Sequence, residues 1–254
     1  PDLRGKTIVS EITLKSTVAS GNTVIQTHEF ALFADGEKFY VGDTVFGYFT
    51  NEALTNQVGL DGGKLVPPWL ESVGAGHVRE KTVIYWNLAD SSEPCFQAPG
   101  GRPHQRLATR QLNLLDELHI VPDGGNSGKG YVYGLRTVDP EDWFFPCHFH
   151  QDPVMPGSLG VEAILQAMQG FALQQGLAER FRNPRFGWVQ KRTAWKYRGQ
   201  IVPQTKQMQL ETHITDVREH PDQTVVTANA SLWRDDLRIY EVTDVRIALR
   251  EAAT

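Results

Sequence analysis

Two neighbouring runs of the sequence hold side chains that can move protons: FFPCHFHQD, residues 144–152, and SLGVEA, residues 158–163. His148 lies in the first run and Glu162 in the second. Imidazole takes up and releases protons near neutral pH, and a carboxyl group withdrawn from water tends to keep its proton. A base and an acid placed this close together indicate acid–base chemistry on a bound substrate.

Each of these residues also has a purely structural explanation. A lone histidine is more often a surface or hydrogen-bonded core residue than a catalyst. A glutamate near a helix start gains roughly 0.3–1 kcal/mol from the helix dipole, or closes a capping box. His148, His150 and Asp152 alternate as metal ligands do on a strand, but no second cluster has metal-ligand spacing, and we predict no metal. Cys147, beside aromatic residues, is expected to be a small buried side chain.

The elements that position His148 and Glu162 follow from two prolines. Pro153 and Pro156 keep the chain extended or turning up to Gly157, because proline disfavours helix in the residue before it. Ser158 is the predicted N-cap of a helix over residues 159 to about 175, which is apolar on nearly every face. Such a helix belongs in the middle of a core. Strand-like alternation before the prolines places His148 and His150 on one face.

Together these pieces suit one reaction, the removal of water from a β-hydroxyacyl thioester. That elimination needs a base for the α-proton, an acid for the leaving hydroxyl group and hydrogen-bond donors for the developing enolate oxygen. The Gly157 amide at the helix start is a suitable donor, and a glycine there lets a substrate approach the backbone closely.

The run WFFPCHFHQDPVMPGSLGVEA, residues 143–163, strongly resembles the active-site segment of the β-hydroxyacyl-acyl-carrier-protein dehydratases. The resemblance extends over residues 106–251. It implies an α+β hotdog fold, in which an antiparallel sheet wraps round one long buried helix. It implies no cofactor, because the substrate is carried on the phosphopantetheine arm of an acyl carrier protein.

The same resemblance implies roles for individual residues. His148 is the catalytic histidine, Glu162 takes the acidic position and the Gly157 amide binds the thioester carbonyl oxygen. We assign Gln166 to substrate binding, where an i,i+4 contact would let it orient the Glu162 carboxyl group. The remaining residues that we assign to substrate binding are Val154 and Ser158.

The resemblance leaves a second activity open. Family members that also isomerise the product to the cis-3 alkene carry aspartate at the acidic position, whereas this chain carries Glu162, as the simple dehydratases do. The surrounding residues CHF and DPVMPG nevertheless resemble the bifunctional branch.

The strand pattern of residues 206–249 is repeated in residues 6–49, which read as three antiparallel strands separated by Ser-Gly-Asn and Asp-Gly turns. We therefore predict three parts: 1–51, the C-terminal strands of a first, tandem hotdog; 52–105, a Gly/Pro-rich linker; and 106–254, the dehydratase-like hotdog. Tandem units of this kind resemble those of polyunsaturated-fatty-acid synthases and related polyketide synthases. Other synthase domains, and a homodimer or pseudo-dimer, are the expected partners.

Composition excludes several classes of protein. The chain has 254 residues and a formal net charge of -5, which argues against a nucleic-acid-binding protein. No apolar run reaches the ~20 residues that span a bilayer, so we predict no membrane partner. Two cysteines are too few for a disulfide framework, and the expected location is the cytoplasm.

Basic residues interleaved with aromatic ones follow the predicted helix, and they suit either a solvated strand face or docking of an acidic carrier protein. They are Arg180, Arg182, Arg185, Lys191, Arg192, Lys196 and Arg198. Two rival functions remain: a hotdog thioesterase, in which a carboxylate activates water, and a catalytically silent dehydratase-like scaffold that only binds the carrier.

Overall fold

The structure is a computed structural model that describes residues 2–21, 23–72, 82–149, 151–187, 189 and 191–252. The chain forms two compact units, Pro1–Gln57 and Val58–Thr254. Within the described ranges, no helix is both long enough and apolar enough to cross a membrane.

The first unit is a three-stranded antiparallel sheet in the order β1-β2-β3. Its strands are β1 (Ile8–Ser20), β2 (Thr23–Ala34) and β3 (Glu37–Phe49), and the short helix α1 (Asn51–Thr55) follows them. Asp35 and Gly36 connect β2 to β3 with positive φ angles of 50° and 87°, as a tight hairpin turn requires. The three strands confirm the prediction from the alternating sequence.

The second unit contains an eight-stranded sheet in the order β4-β5-β6-β9-β10-β11-β7, with β8 paired to β11. In the described part of this unit the sheet is accompanied by the helices α2 (Trp69–Ser72) and α3 (Gly157–Gln174), and 3-10 turns lie at Pro94–Phe96, Pro99–Gly101 and Arg110–Leu112. The strands are β4 (Ile84–Asn87), β5 (Glu117–Val121), β6 (Tyr131–Thr137), β7 (Pro184–Gly187), β8 (Ala194–Tyr197), β9 (Gln207–Glu219), β10 (Gln223–Arg234) and β11 (Leu237–Glu251).

The sheet of the second unit wraps round α3. This helix contacts β5, β6, β9, β10 and β11, and its buried residues lie on almost every side of the helix axis. Ile164, Met168 and Phe171 are at most 2% exposed. An antiparallel sheet curled round one buried helix is the hotdog architecture, so the predicted fold class is confirmed.

The two units share one strand register. In the first unit Ile8 pairs with Ala34, and at the equivalent positions of the second unit Met208 pairs with Arg234. Both hairpins also have a register shift at the equivalent place, between Leu14 and Ser16 in β1 and between Ile214 and Asp216 in β9. The β2-β3 shift at Leu32 likewise matches the β10-β11 shift at Leu232. The sheets differ in what covers them, because the face of β9 to β11 that packs on α3 is buried, whereas the equivalent face in the first unit leaves Ile12 66% exposed.

Part of the predicted linker, residues 52–105, belongs to the second unit. It supplies β4 at the sheet edge, and Leu88, Cys95 and Phe96 are buried in the core cluster. Residues 58–69 lie across the outer face of the sheet, where Arg238 forms a two-bond ion pair with Asp61 and Trp233 donates to the Val66 carbonyl. The three-part division of the chain stays a prediction.

Candidate active site

The loop that carries His148 is anchored by residues on both sides of it. Arg136 on β6 forms a largely buried ion pair with Asp142, and Phe144 and Phe145 are 1% and 3% exposed. The Phe144 carbonyl then accepts the amides of Cys147 and His148, at 3.2 and 3.0 Å. These bonds form turns over residues 144–148, so the strand-like conformation predicted at His148 is wrong: with Phe144 and Phe145 buried, the Phe144 carbonyl is paired locally and not with a neighbouring strand.

The imidazole of His148 is held by one backbone group. Its Nδ1 lies 2.9 Å from the carbonyl oxygen of Val154, and its ring stacks on Phe149 at a centroid distance of 4.0 Å. A carbonyl oxygen can only accept a hydrogen bond, so Nδ1 carries the proton. In the neutral ring Nε2 is then unprotonated and can accept a proton, as a general base must.

The central helix and its N-cap both lie two residues earlier than predicted. Gly157 is the first residue of α3, and Pro156 is the N-cap, with φ -52° and ψ 128° and no side-chain hydrogen bond. Ser158 as the N-cap is therefore wrong; it is the second helical residue, because the rigid proline already ends the extended segment. The amides of Gly157 and Ser158 belong to the first turn and have no intrahelical acceptor.

Two glycines let aromatic rings pack directly on the start of α3. A Cβ at Gly157 would lie 2.9 Å from Trp195, and one at Gly160 would lie 2.5 Å from the ring of Tyr240. The Tyr240 hydroxyl donates to the Gly157 carbonyl at 3.3 Å. Sequence reasoning missed Trp195 and Tyr240; the spacing Gly157-x-x-Gly160, which puts two glycines on one helix face, was the available signal.

Glu162 lies on α3 beyond its first turn, which contains no acidic residue. A capping box is therefore excluded for this carboxyl group. The side chain is half-buried, and burial raises the pKa of Glu162 above its ordinary value of 4.5. A raised pKa keeps more of the carboxyl group in the protonated form, which is the form that donates a proton.

Gln166 is buried, with 2% exposure, and its amide bonds to the loop before β5. Its oxygen accepts the Leu114 amide at 3.1 Å, and its nitrogen donates to the Leu112 carbonyl. These bonds anchor α3 to residues 112–114, and no hydrogen bond joins Gln166 to Glu162 within the described chain. The expected orientation of Glu162 by Gln166 is therefore not seen, because both polar ends of the amide are engaged by backbone.

His148 and Glu162 lie on the same unit, one on the loop before α3 and one on the helix. No hydrogen bond or ion pair between them occurs among the residues that the structure describes. His150 lies outside these residues, so the alternating set of His148, His150 and Asp152 is not tested; elsewhere in the described ranges no cluster of three potential ligands occurs. Cys147 is exposed, so its predicted burial is wrong.

Comparison with known proteins places the chain in a family. The model of the FabA-like domain matches residues 107–243, more than half of the chain. A polyunsaturated fatty acid synthase polypeptide of Thraustochytrium sp. (strain ATCC 26185 / S-3) is 37% identical over 252 residues, which are 98% of this chain and 17% of that protein. The chain thus spans a small part of this relative.

Solved structures show more distant similarity. The dehydratase domain from the CurJ module of curacin polyketide synthase is 12% identical, with a TM-score of 0.45, and the match covers 96% of this chain and 75% of that one. The dehydratase heterocomplex ApeI:P from Xenorhabdus doucetiae is 11% identical, with a TM-score of 0.40, over 59% and 90% of the two chains. On the match to the family model, the chain belongs to the FabA-like domain family, as residues 143–163 predict.

Proposed function

We propose that this chain dehydrates (3R)-hydroxyacyl thioesters, carried on acyl carrier protein, to trans-2-enoyl thioesters. Nε2 of His148 removes the α-proton, and the electron pair moves toward the thioester carbonyl. The protonated Glu162 carboxyl group then gives its proton to the β-hydroxyl group, which leaves as water while the α,β double bond forms. The proton on His148 returns to Glu162 through solvent, and both groups recover their starting forms.

The hydrogen bond between His148 and Val154 carries this proposal. It fixes the tautomer with Nε2 free, and a base with an undefined tautomer would be correctly protonated only part of the time. Val154 therefore acts through its backbone oxygen, and its side chain is 3% exposed. The half-buried Glu162, with its raised pKa, supplies the complementary proton donor.

The first turn of α3 supplies the stabilisation of negative charge. The Gly157 and Ser158 amides point out of a helix N-terminus, where the helix dipole favours an anion. We propose that the Gly157 amide donates to the thioester oxygen as the enolate forms. Tyr240, bonded to the Gly157 carbonyl, holds this turn in place.

The active site forms between two complete hotdogs, with the histidine from one hotdog and the glutamate from the other. The lack of a His148–Glu162 contact among the described residues of one chain agrees with this arrangement. For the isolated chain the partner hotdog belongs to another copy. The shared strand register supports residues 1–51 as the last strands of a first hotdog repeat.

The substrate arrives on the phosphopantetheine arm of an acyl carrier protein, and the reaction uses no cofactor or metal. The neighbouring partners are other domains of a multidomain synthase, in the cytoplasm. The 37% identical relative carries the name of a polyunsaturated fatty acid synthase, which agrees with this setting. Isomerisation of the product to the cis-3 alkene stays an open second activity.

The test is turnover of 3-hydroxyacyl and saturated acyl thioesters by the purified chain. We expect alkene absorbance to appear with the hydroxyacyl substrate, without release of free thiol and with no effect of a chelator. Thiol release without alkene would identify a thioesterase instead. Carrier binding without turnover, unchanged in His148→Ala, would identify a silent scaffold.

A further inference from the structure

A groove of about 580 Å³ lies on the outer face of the second sheet, and none of its lining residues belongs to α3. Residues of β9, β10 and β11 line it, among them the outward-facing Thr215, Val225 and Thr227, and Lys129 and Lys191 join the lining from outside these strands. Nothing in the proposed dehydration step uses this groove.

The charge of the groove is opposite in sign to that of the chain. Among the described residues, four lysines or arginines line it against two aspartates, whereas the whole chain has a net charge of -5. The four cations are Lys129, Lys191, Arg218 and Arg246. An acidic partner is therefore attracted to this groove although the chain as a whole carries a net negative charge, which favours encounter at the groove.

The two aspartates neutralise only part of this charge. Asp216 contacts both Lys129, at 3.7 Å, and Arg218, at 2.6 Å, and Asp244 contacts Arg246 at 3.2 Å. Lys191 is exposed and makes no ion pair with any residue in the described ranges. Arg218 keeps 73% of its side chain in contact with solvent, so its charge remains available to a partner.

One short segment connects the groove to the candidate active site. Arg246 donates to the Arg192 carbonyl at 3.2 Å, and Thr193 donates to the Asp244 carbonyl at 3.2 Å, which fixes residues 192–193 at the groove edge. Four residues after Lys191, Trp195 lies against Gly157. Four residues span at most about 14 Å. Lys191 at the groove edge is therefore no farther than that from Trp195, which contacts the start of α3.

We propose that this groove docks the acidic surface of the acyl carrier protein, whose arm then runs along residues 191–195 to Gly157. The inference rests on the proposed dehydration of carrier-bound substrates and adds the surface that receives the carrier. Of the basic residues that the sequence offered for carrier docking, this inference retains only Lys191 and Arg192, which lie at the groove edge. Lys196 is instead paired with Glu241 at 2.5 Å.

The test compares two double charge reversals of equal size, each made in the 254-residue chain. Lys191→Glu with Arg218→Glu alters the groove, and Lys64→Glu with Lys206→Glu alters two exposed lysines outside it. The probes are a fluorescently labelled acidic acyl carrier protein, with and without its phosphopantetheine arm, and a 3-hydroxyacyl N-acetylcysteamine thioester. Affinity is measured by anisotropy at low and high salt, and turnover by alkene absorbance.

We expect the groove variant to weaken carrier binding by about tenfold or more at low salt, with or without the arm, and to lose most of its salt dependence. The control variant should stay within about twofold, and both should turn over the small thioester normally. Equal effects of both variants, or none, would overturn the docking inference. Carrier binding that depends on the groove, without turnover of any substrate, would overturn the proposed function and leave the docking site standing.

Discussion

His148 donates from Nδ1 to the backbone oxygen of Val154, 2.9 Å away, across the turn that leads into α3. This one bond fixes both the orientation of the ring and its tautomer, because a carbonyl oxygen cannot donate. The bond spans six positions of the sequence, and Val154 lies three residues before Gly157, the first residue of α3. Changes that disturb the turn should consequently alter catalysis even where they leave the imidazole in place.

Replacing His148 with alanine should reduce the rate of dehydration by about 10²-fold or more, because the α-proton loses its acceptor. The measurement is the initial rate of alkene formation from a 3-hydroxyacyl thioester. His104→Ala, at an exposed histidine, is the matched control and should keep the wild-type rate. A His148→Ala rate near that of the wild type would remove the imidazole from the mechanism.

Replacing Glu162 with glutamine should also lower the rate by about 10²-fold or more, because an amide cannot supply the proton to the leaving hydroxyl group. In the wild type, kcat/KM should fall as the pH rises through the pKa of Glu162, which burial raises above 4.5. That fall should be missing from the residual activity of Glu162→Gln. Glu179→Gln, at an exposed glutamate, should keep the wild-type pH profile.

Glu162 should also affect stability, with a definite sign. Its folded pKa is raised, so the unfolded chain loses this proton first as the pH rises above 4.5. The free energy of unfolding therefore falls with rising pH until the folded pKa is passed. Glu162→Gln removes this loss and should be more stable than the wild type at neutral pH, by less than about 1 kcal/mol for a half-exposed group. Urea unfolding at pH 4 and pH 8 measures it; equal differences at both pH values would contradict the burial argument.

Gly160→Ala should destabilise the second unit. Alanine normally favours a helix over glycine by about 1 kcal/mol, but the new Cβ would lie 2.5 Å from the ring of buried Tyr240. We expect a net loss of about 1–3 kcal/mol in urea unfolding, the range for overpacked cores. In a Tyr240→Leu background, which lacks the clashing ring, Gly160→Ala should lower the free energy of unfolding by less than it does in the wild type. An additive or larger loss in the double variant would show that the clash is not with Tyr240.

Mixing two inactive variants tests whether the site is shared between copies. If His148 of one copy works with Glu162 of another, a refolded equimolar mixture of His148→Ala and Glu162→Gln should regain about a quarter of the wild-type activity. Half of the dimers would then be mixed, each with one intact site of two. A mixture no more active than its components would show that His148 and Glu162 of the same copy work together.

Sequence alone determined the family, the long apolar helix and the strands on either side of it. These depend on local periodicity and on an unusual run of residues, 143–163, which can be read without knowing what lies nearby in space. The same local information misplaced the start of α3 by preferring Ser158 as a cap over Pro156. It also predicted a strand at His148, because burial of Phe144 and Phe145 was not visible in the alternation.

Only the tertiary structure decided which groups meet across distant parts of the chain. It brought Tyr240 and Trp195 onto Gly157 and Gly160, engaged Gln166 with residues 112–114, and gathered Lys129, Lys191, Arg218 and Arg246 round one groove. Such contacts join residues far apart in sequence, and they are set by sheet register and packing rather than by any local pattern. The same packing sets the tautomer of His148, because the Val154 carbonyl bonds to Nδ1, and it raises the pKa of Glu162, because the carboxyl group is half-buried.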